Sequence, residues 1–183
     1  MILAIDPGLS GAIAAMDQSG LLGVRDMPTR PIPNISGKTR NEVDPKRLRT
    51  ALHDLIPHGE TAIVVMEAMH AFMGGGEERK GSMSSQASLA ATKAVICTVC
   101  ELSDLSVTFV TPRTWQRIYG IKATPSETTK QQSLRLARQL YGKDVCPLAK
   151  HDGRADAVLI ARWAMRHNLD LPVLARVVDP LDV

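Results

Sequence analysis

The sequence predicts one α/β domain built on a five-stranded mixed sheet flanked by helices, with the element order β-β-β-α-β-α-β-α-α-α. Three observations carry that prediction. Three short strand-like runs follow one another at the start, each closed by turn residues. The unbroken apolar run TAIVVM at 61–66 has the character of a central strand buried on both faces. The rest of the chain sets long helical patterns around one further strand.

In chain order, residues 2–5 (ILAI) run into Asp6 and a Pro-Gly turn. Residues 11–16 (GAIAAM) and 21–27 (LLGVRDM), with a turn at 17–20, complete an antiparallel meander. The segment 28–43 holds several Pro and Gly and reads as a loop. Asp44 is a good N-cap and Pro45 suits a first helical turn, so a helix runs from there to about Ile56. The apolar strand 61–66 ends at Glu67, and a Gly-rich stretch fills 70–82. A long helix is predicted over about 84–102, a fifth strand over 106–111 (SVTFVT), and a short basic helix from Pro112 through Tyr119. A further helix begins near Ser126 and ends at Tyr141, with Gly142 as its C-cap; the last spans about 152–167. The whole of 1–183 reads as a single domain, with 170–183 a peripheral tail.

Composition narrows the function. At 183 residues, 44% hydrophobic and 22% charged, the chain is long enough for a real core, which excludes disordered, collagen-like and disulfide-stapled classes. Aromatic residues make up 3%, too few for a sheet that stacks single-stranded bases. The net charge of +3 conceals two basic blocks. Residues 25–50 carry seven Lys/Arg against three acids, a net of +4, and residues 113–143 carry seven against one, a net of +6. Cationic blocks around an acidic remainder suit an enzyme that grips phosphates and holds metal with carboxylates; two solvated helix faces explain the same charges. No signal-peptide pattern, transit peptide or membrane-length apolar run is present, so a cytoplasmic setting is expected, in a bacterial or phage-infected cell. Cys97, Cys100 and Cys146 suit a reducing compartment, and the C-x-x-C at 97–100 falls in an apolar helical run, where small buried residues are the better reading than zinc ligands.

Four acids stand out by position. Asp6 ends the first strand and Glu67 the fourth; central strands ending at one sheet edge would turn both into one cleft. Asp152 and Asp156 are four apart on the last helix and share a face, where like charges repel unless a cation lies between them. Oxygen donors of this kind suit one or two Mg²⁺ or Mn²⁺ ions. Each acid alone has a structural reading, as turn residue or helix cap; the set in this order favours metal.

The motifs AIDPGLSGAIA at 4–14, VVMEA at 64–68 and KHDGRADAVLIA at 150–161 resemble those of RuvC-like Holliday junction resolvases, in particular the phage and chloroplast branch of this ribonuclease-H-like superfamily. The resemblance implies a crossover junction endodeoxyribonuclease in which Asp6, Glu67, Asp152 and Asp156 bind two Mg²⁺ ions, with Mn²⁺ as a substitute. It implies symmetric paired nicks in a four-way junction that leave 5′-phosphates, and hence a homodimer, which the apolar helix 84–102 suits. Bacterial RuvC enzymes usually space the last two acids by three; here Gly153 occupies that place, leaving Asp152 or His151 for the fourth position. His151 is also a candidate accessory proton carrier.

For DNA contacts, Lys130 sits where the family carries a phosphate-contacting lysine, and Arg113 and Arg117 on the short helix suit backbone contacts. Phe72, or Met73, in the Gly-rich stretch would probe the junction centre. Gly76 to Ser82 falls short of a phosphate-binding P-loop, having no Lys before the Ser, and no nucleotide cofactor is expected. The rival readings are another nuclease of the same fold, acting on RNA–DNA hybrid or as an exonuclease, and an inactive junction-binding protein.

Overall fold

The computed structural model describes residues 1–33, 37, 39–68 and 83–167, without the side chains of 83–86. Phe72, Met73 and the tail from 168 onward lie outside the described residues. The main sheet has the strand order β3-β2-β1-β6-β7, from β1 (Ile2–Asp6), β2 (Ala12–Asp17), β3 (Gly20–Asp26), β6 (Ile63–Glu67) and β7 (Val107–Val110). β1 pairs antiparallel with β2 and parallel with β6, and β6 pairs parallel with β7. The expected mixed five-stranded sheet is therefore present, with β1 and β6 at its centre. The element lacking from the sequence reading is a hairpin. Residues 28–43, expected as a loop, contain β4 (Thr29–Pro33) and β5 (Thr39–Val43), an antiparallel pair forming a separate small sheet. Pro31 and Pro33 mask it in sequence, yet a two-stranded ribbon has outward-facing backbone positions where a missing N–H does no harm. Arg30 pairs with Glu42 directly across the ribbon at 2.7 Å.

The helices are α1 (Pro45–Leu55), α2 (Met83–Glu101), α3 (Pro112–Ile118), α4 (Thr129–Tyr141) and α5 (Asp152–Arg166). The Asp44 carboxylate accepts the Lys46 and Arg47 N–H groups and caps α1, as its sequence suggests. α4 starts at Thr129 rather than near Ser126, because Thr128 and Gln131 form a reciprocal capping box. Gly142 ends α4 with φ of 85°, a conformation few other residues adopt readily.

The strand alternation of two divides the core into two layers. Leu3, Ile5, Ile13, Val64 and Met66 face α1 and α2, whose Leu48, Leu52 and Ile96 are fully buried. Ile2, Ala4, Ala12, Ala14 and Val65 face the other way, onto α5 with α4 behind it. α5 buries Gly153, Ala155, Ala157, Val158, Leu159, Ile160, Ala161 and Ala164. Alanines on both sheet and helix bring the two layers close. Cys100 and Cys146 are buried small side chains. Among the described residues, no helix is long and apolar enough to cross a membrane.

Candidate metal and phosphate site

The same alternation decides where the acids go. In β1 the residues facing α5 are Ile2 and Ala4, which makes Asp6 the next side chain on that face. In β6 they are Ile63 and Val65, which makes Glu67 the next. The parallel register pairs Ile5 with Met66, so Asp6 and Glu67 come last on adjacent strands, at one edge and on one face. α5 begins at that edge with Asp152, and Asp156 follows one turn later.

Two glycines let the parts approach. A Cβ on Gly153 would lie 2.7 Å from Gly11 Cα and 2.9 Å from an Asp6 carboxylate oxygen, besides colliding with the Ser10 carbonyl. A Cβ on Gly11 would collide with the Asp6 backbone carbonyl and stand 2.8 Å from the Gly8 carbonyl. Gly153 therefore seats the first turn of α5 directly on the β1–β2 turn and against Asp6 at the end of β1. The sequence shows Gly153 only as an irregularity in acid spacing, because a helical glycine gives no sign of what lies against it.

Three of the acids are held well above the ordinary carboxylate range. Burial pushes Asp6 up to about 6, against a hydrogen bond from the Gly8 backbone, with the Asp152 charge adding to the rise. Burial likewise takes Glu67 to about 7, partly offset by the indole N–H of Trp115, which donates to Glu67 Oε1 at 2.8 Å. Asp156 reaches about 8, chiefly by burial and then by repulsion from Asp6, Glu67 and Asp152. The Ser133 hydroxyl opposes that rise, yet both Ser133 Oγ and Asp156 Oδ1 are buried with no hydrogen-bond partner of good geometry. Asp152 pairs with Lys130, whose ammonium stands 2.5 Å from Asp152 Oδ2. Lys130 also feels Asp156 and Asp6.

All four acids and Lys130 thus share one electrostatic neighbourhood. Arg113 and Arg117 lie exposed on α3, the helix whose buried Trp115 reaches Glu67. His151 does not join the cluster. It precedes α5 without capping it, its Nδ1 accepts the Leu148 N–H at 3.4 Å, and the charges acting on it are Arg154, Asp26, Lys150 and Arg138. The Trp115–Glu67 bond, 48 residues apart in sequence, and the Ser133 approach have no sequence signal.

The donors fit hard divalent cations: they are all carboxylate oxygens, three are strained toward protonation by burial and mutual repulsion, and one buried oxygen has no partner. Among the described residues, no group of three or more His, Cys, Asp or Glu side chains is placed so that it could hold a metal ion as it stands. Bringing these carboxylates together costs mutual repulsion that a cation relieves, and the Lys130 ammonium already pairs with Asp152.

Solved structures with the same fold include RuvC from Thermus thermophilus, 11% identical, with a TM-score of 0.53 over 91% of this chain and 96% of that one. Another is T. thermophilus RuvC in complex with Holliday junction substrate, 13% identical, with a TM-score of 0.52 over 91% of this chain and 95% of that one. The chain has the fold of these RuvC structures. No protein-family model and no curated protein matches the chain.

Proposed function

We propose that this protein is a divalent-metal-dependent endodeoxyribonuclease that resolves four-way DNA junctions by paired symmetric nicks leaving 5′-phosphates. The observation that carries the reading is the cluster of Asp6, Glu67 and Asp156, three carboxyls raised to about 6, 7 and 8 by burial and one another, at the edge where α5 meets β1. Such a set is unfavourable as bare anions and gains most from bound cations.

Asp6, Glu67 and Asp156 would hold the metal, with Asp152 joining them. Bound there, divalent cations supply charge neutralisation at the scissile phosphate and a lowered pKa for the attacking water. The chain's own residues do the rest. The Gly8 N–H and the Trp115 indole fix Asp6 and Glu67 as acceptors. Lys130 offers its ammonium to a phosphate oxygen, and Arg113 and Arg117 track the backbone beside it, positioning DNA without reading sequence. The chain acts as a two-fold dimer, which presents two such sites to the near-symmetric arms of a junction. T. thermophilus RuvC, with the same fold, has been captured with a Holliday junction substrate, which favours branched DNA over other substrates.

The test is incubation with labelled four-way junction, plain duplex and RNA–DNA hybrid in Mg²⁺, Mn²⁺ or Ca²⁺. Cutting confined to the junction and supported by Mg²⁺ or Mn²⁺ is the expected result. Cleavage of the hybrid would assign the site to a different nuclease of this fold, and tight junction binding without cutting in any metal would make the protein a binding module.

A further inference from the structure

We infer that the Lys130 ammonium is a resident cation that competes with metal for Asp152, and that it must leave before the site takes its full load. The inference rests on the metal-site reading above. Three observations carry it. Lys130 Nζ lies 2.5 Å from Asp152 Oδ2, and its charge also acts on Asp6 and Asp156, so one ammonium serves three of the four acids. The lysine occupies the first turn of α4, the positive end of the helix dipole, where a cation is disfavoured unless anions compensate it. Its backbone is fixed by the Thr128–Gln131 capping box, while its side chain is 71% exposed against 20% for Asp152. The stem can therefore swing into solvent without disturbing the core, leaving Asp152 in place.

The consequence is an order of events. In DNA-free protein the ammonium neutralises part of the acid cluster and weakens metal binding by competition. A phosphate arriving beside the site offers Lys130 another anion, and the vacated Asp152 carboxylate becomes available to metal. The same side chain is thus a placeholder before substrate binds and a phosphate contact afterwards.

The experiment is Mn²⁺ titration of DNA-free protein, followed calorimetrically or by the Mn²⁺ spin signal, for wild type and for Lys130→Met, Lys130→Gln and Lys130→Arg. The neutral variants should bind Mn²⁺ about two- to fivefold more tightly, the upper part of the range expected for loss of one exposed competing ion pair. Lys130→Arg should bind no more tightly than wild type. Lys143→Met, which removes an exposed charge elsewhere, should change affinity by less than about twofold, since such charges are screened. Unchanged or weaker Mn²⁺ binding in both neutral variants, with wild-type binding that Asp6→Asn abolishes, would overturn the competition and leave the metal site standing. Absence of Mn²⁺ binding in every form would overturn the metal-site reading itself, and the competition with it.

Discussion

Asp156 is the residue whose surroundings cost most. Its carboxyl is raised to about 8, Glu67 to about 7 and Asp6 to about 6, whereas the unfolded chain would titrate these groups near 3.8 to 4.5. The folded state therefore keeps protons that the unfolded state gives up, and stability present below about pH 4 is lost as pH rises toward about 8. Metal-free protein should accordingly melt at progressively lower temperature between pH 5 and pH 8, and millimolar Mg²⁺ should reverse the trend at pH 8. Asp156→Asn should raise the metal-free melting point at pH 8 by several degrees and remove most of the Mg²⁺ response. A melting temperature that climbs over this range without metal would contradict the burial of these acids. Trp115 supplies a second test. Trp115→Phe keeps the ring but removes the N–H that holds Glu67 down, so the acidic limb of the cleavage profile should move to higher pH. Loss of a hydrogen bond to a charged group, worth about 1.5–3 kcal/mol, should cost roughly tenfold or more in rate at pH 7.

Among the elements, α5 and the β1–β2 turn depend on each other through Gly153. Gly153→Ala would drive a methyl group into the Ser10 carbonyl, Gly11 Cα and the Asp6 carboxylate, and backbone cannot yield as a flexible side chain does. It should destabilise the protein by about 2–4 kcal/mol in denaturant titration and abolish cleavage by displacing Asp152 and Asp156 from Asp6. Arg154, one residue on, makes two hydrogen bonds to Asp26 of β3, but that aspartate is 60% exposed. Arg154→Ala should therefore cost less than about 1 kcal/mol, and the contrast separates steric fit from surface charge at the same helix start. What was legible in the sequence follows the same division. The five strands of the main sheet and the four acids could be read because an apolar run ending in a charge, and an i,i+4 pair, are local patterns. The β4–β5 hairpin could not, since Pro31 and Pro33 signal a loop until the ribbon's open edges are known. The seat at Gly153 and the Trp115–Glu67 bond could not either, because they join segments distant in sequence and leave no periodic trace.

At the scale of the whole molecule, the proposed dimer needs unoccupied apolar surface, and α2 exposes Ala87, Ala91 and Ala94 along one face and Leu89, at 43% exposure, on the opposite side. Leu89→Glu should yield a monomer by sedimentation, and on a junction it should separate the two nicks in time. The small net charge of +3 matters less than its division, since the basic block over 113–143 includes Lys130 beside the acid cluster. Junction resolution is tested most directly by the position and end chemistry of nicks on a fixed four-way junction in Mg²⁺, with opposite strands labelled. Two symmetry-related nicks are expected, sealed by ligase without further treatment as 5′-phosphate ends allow, and lost completely in Asp6→Asn. Cleavage that persists in Asp6→Asn, or that falls at unrelated positions with unligatable ends, would contradict it.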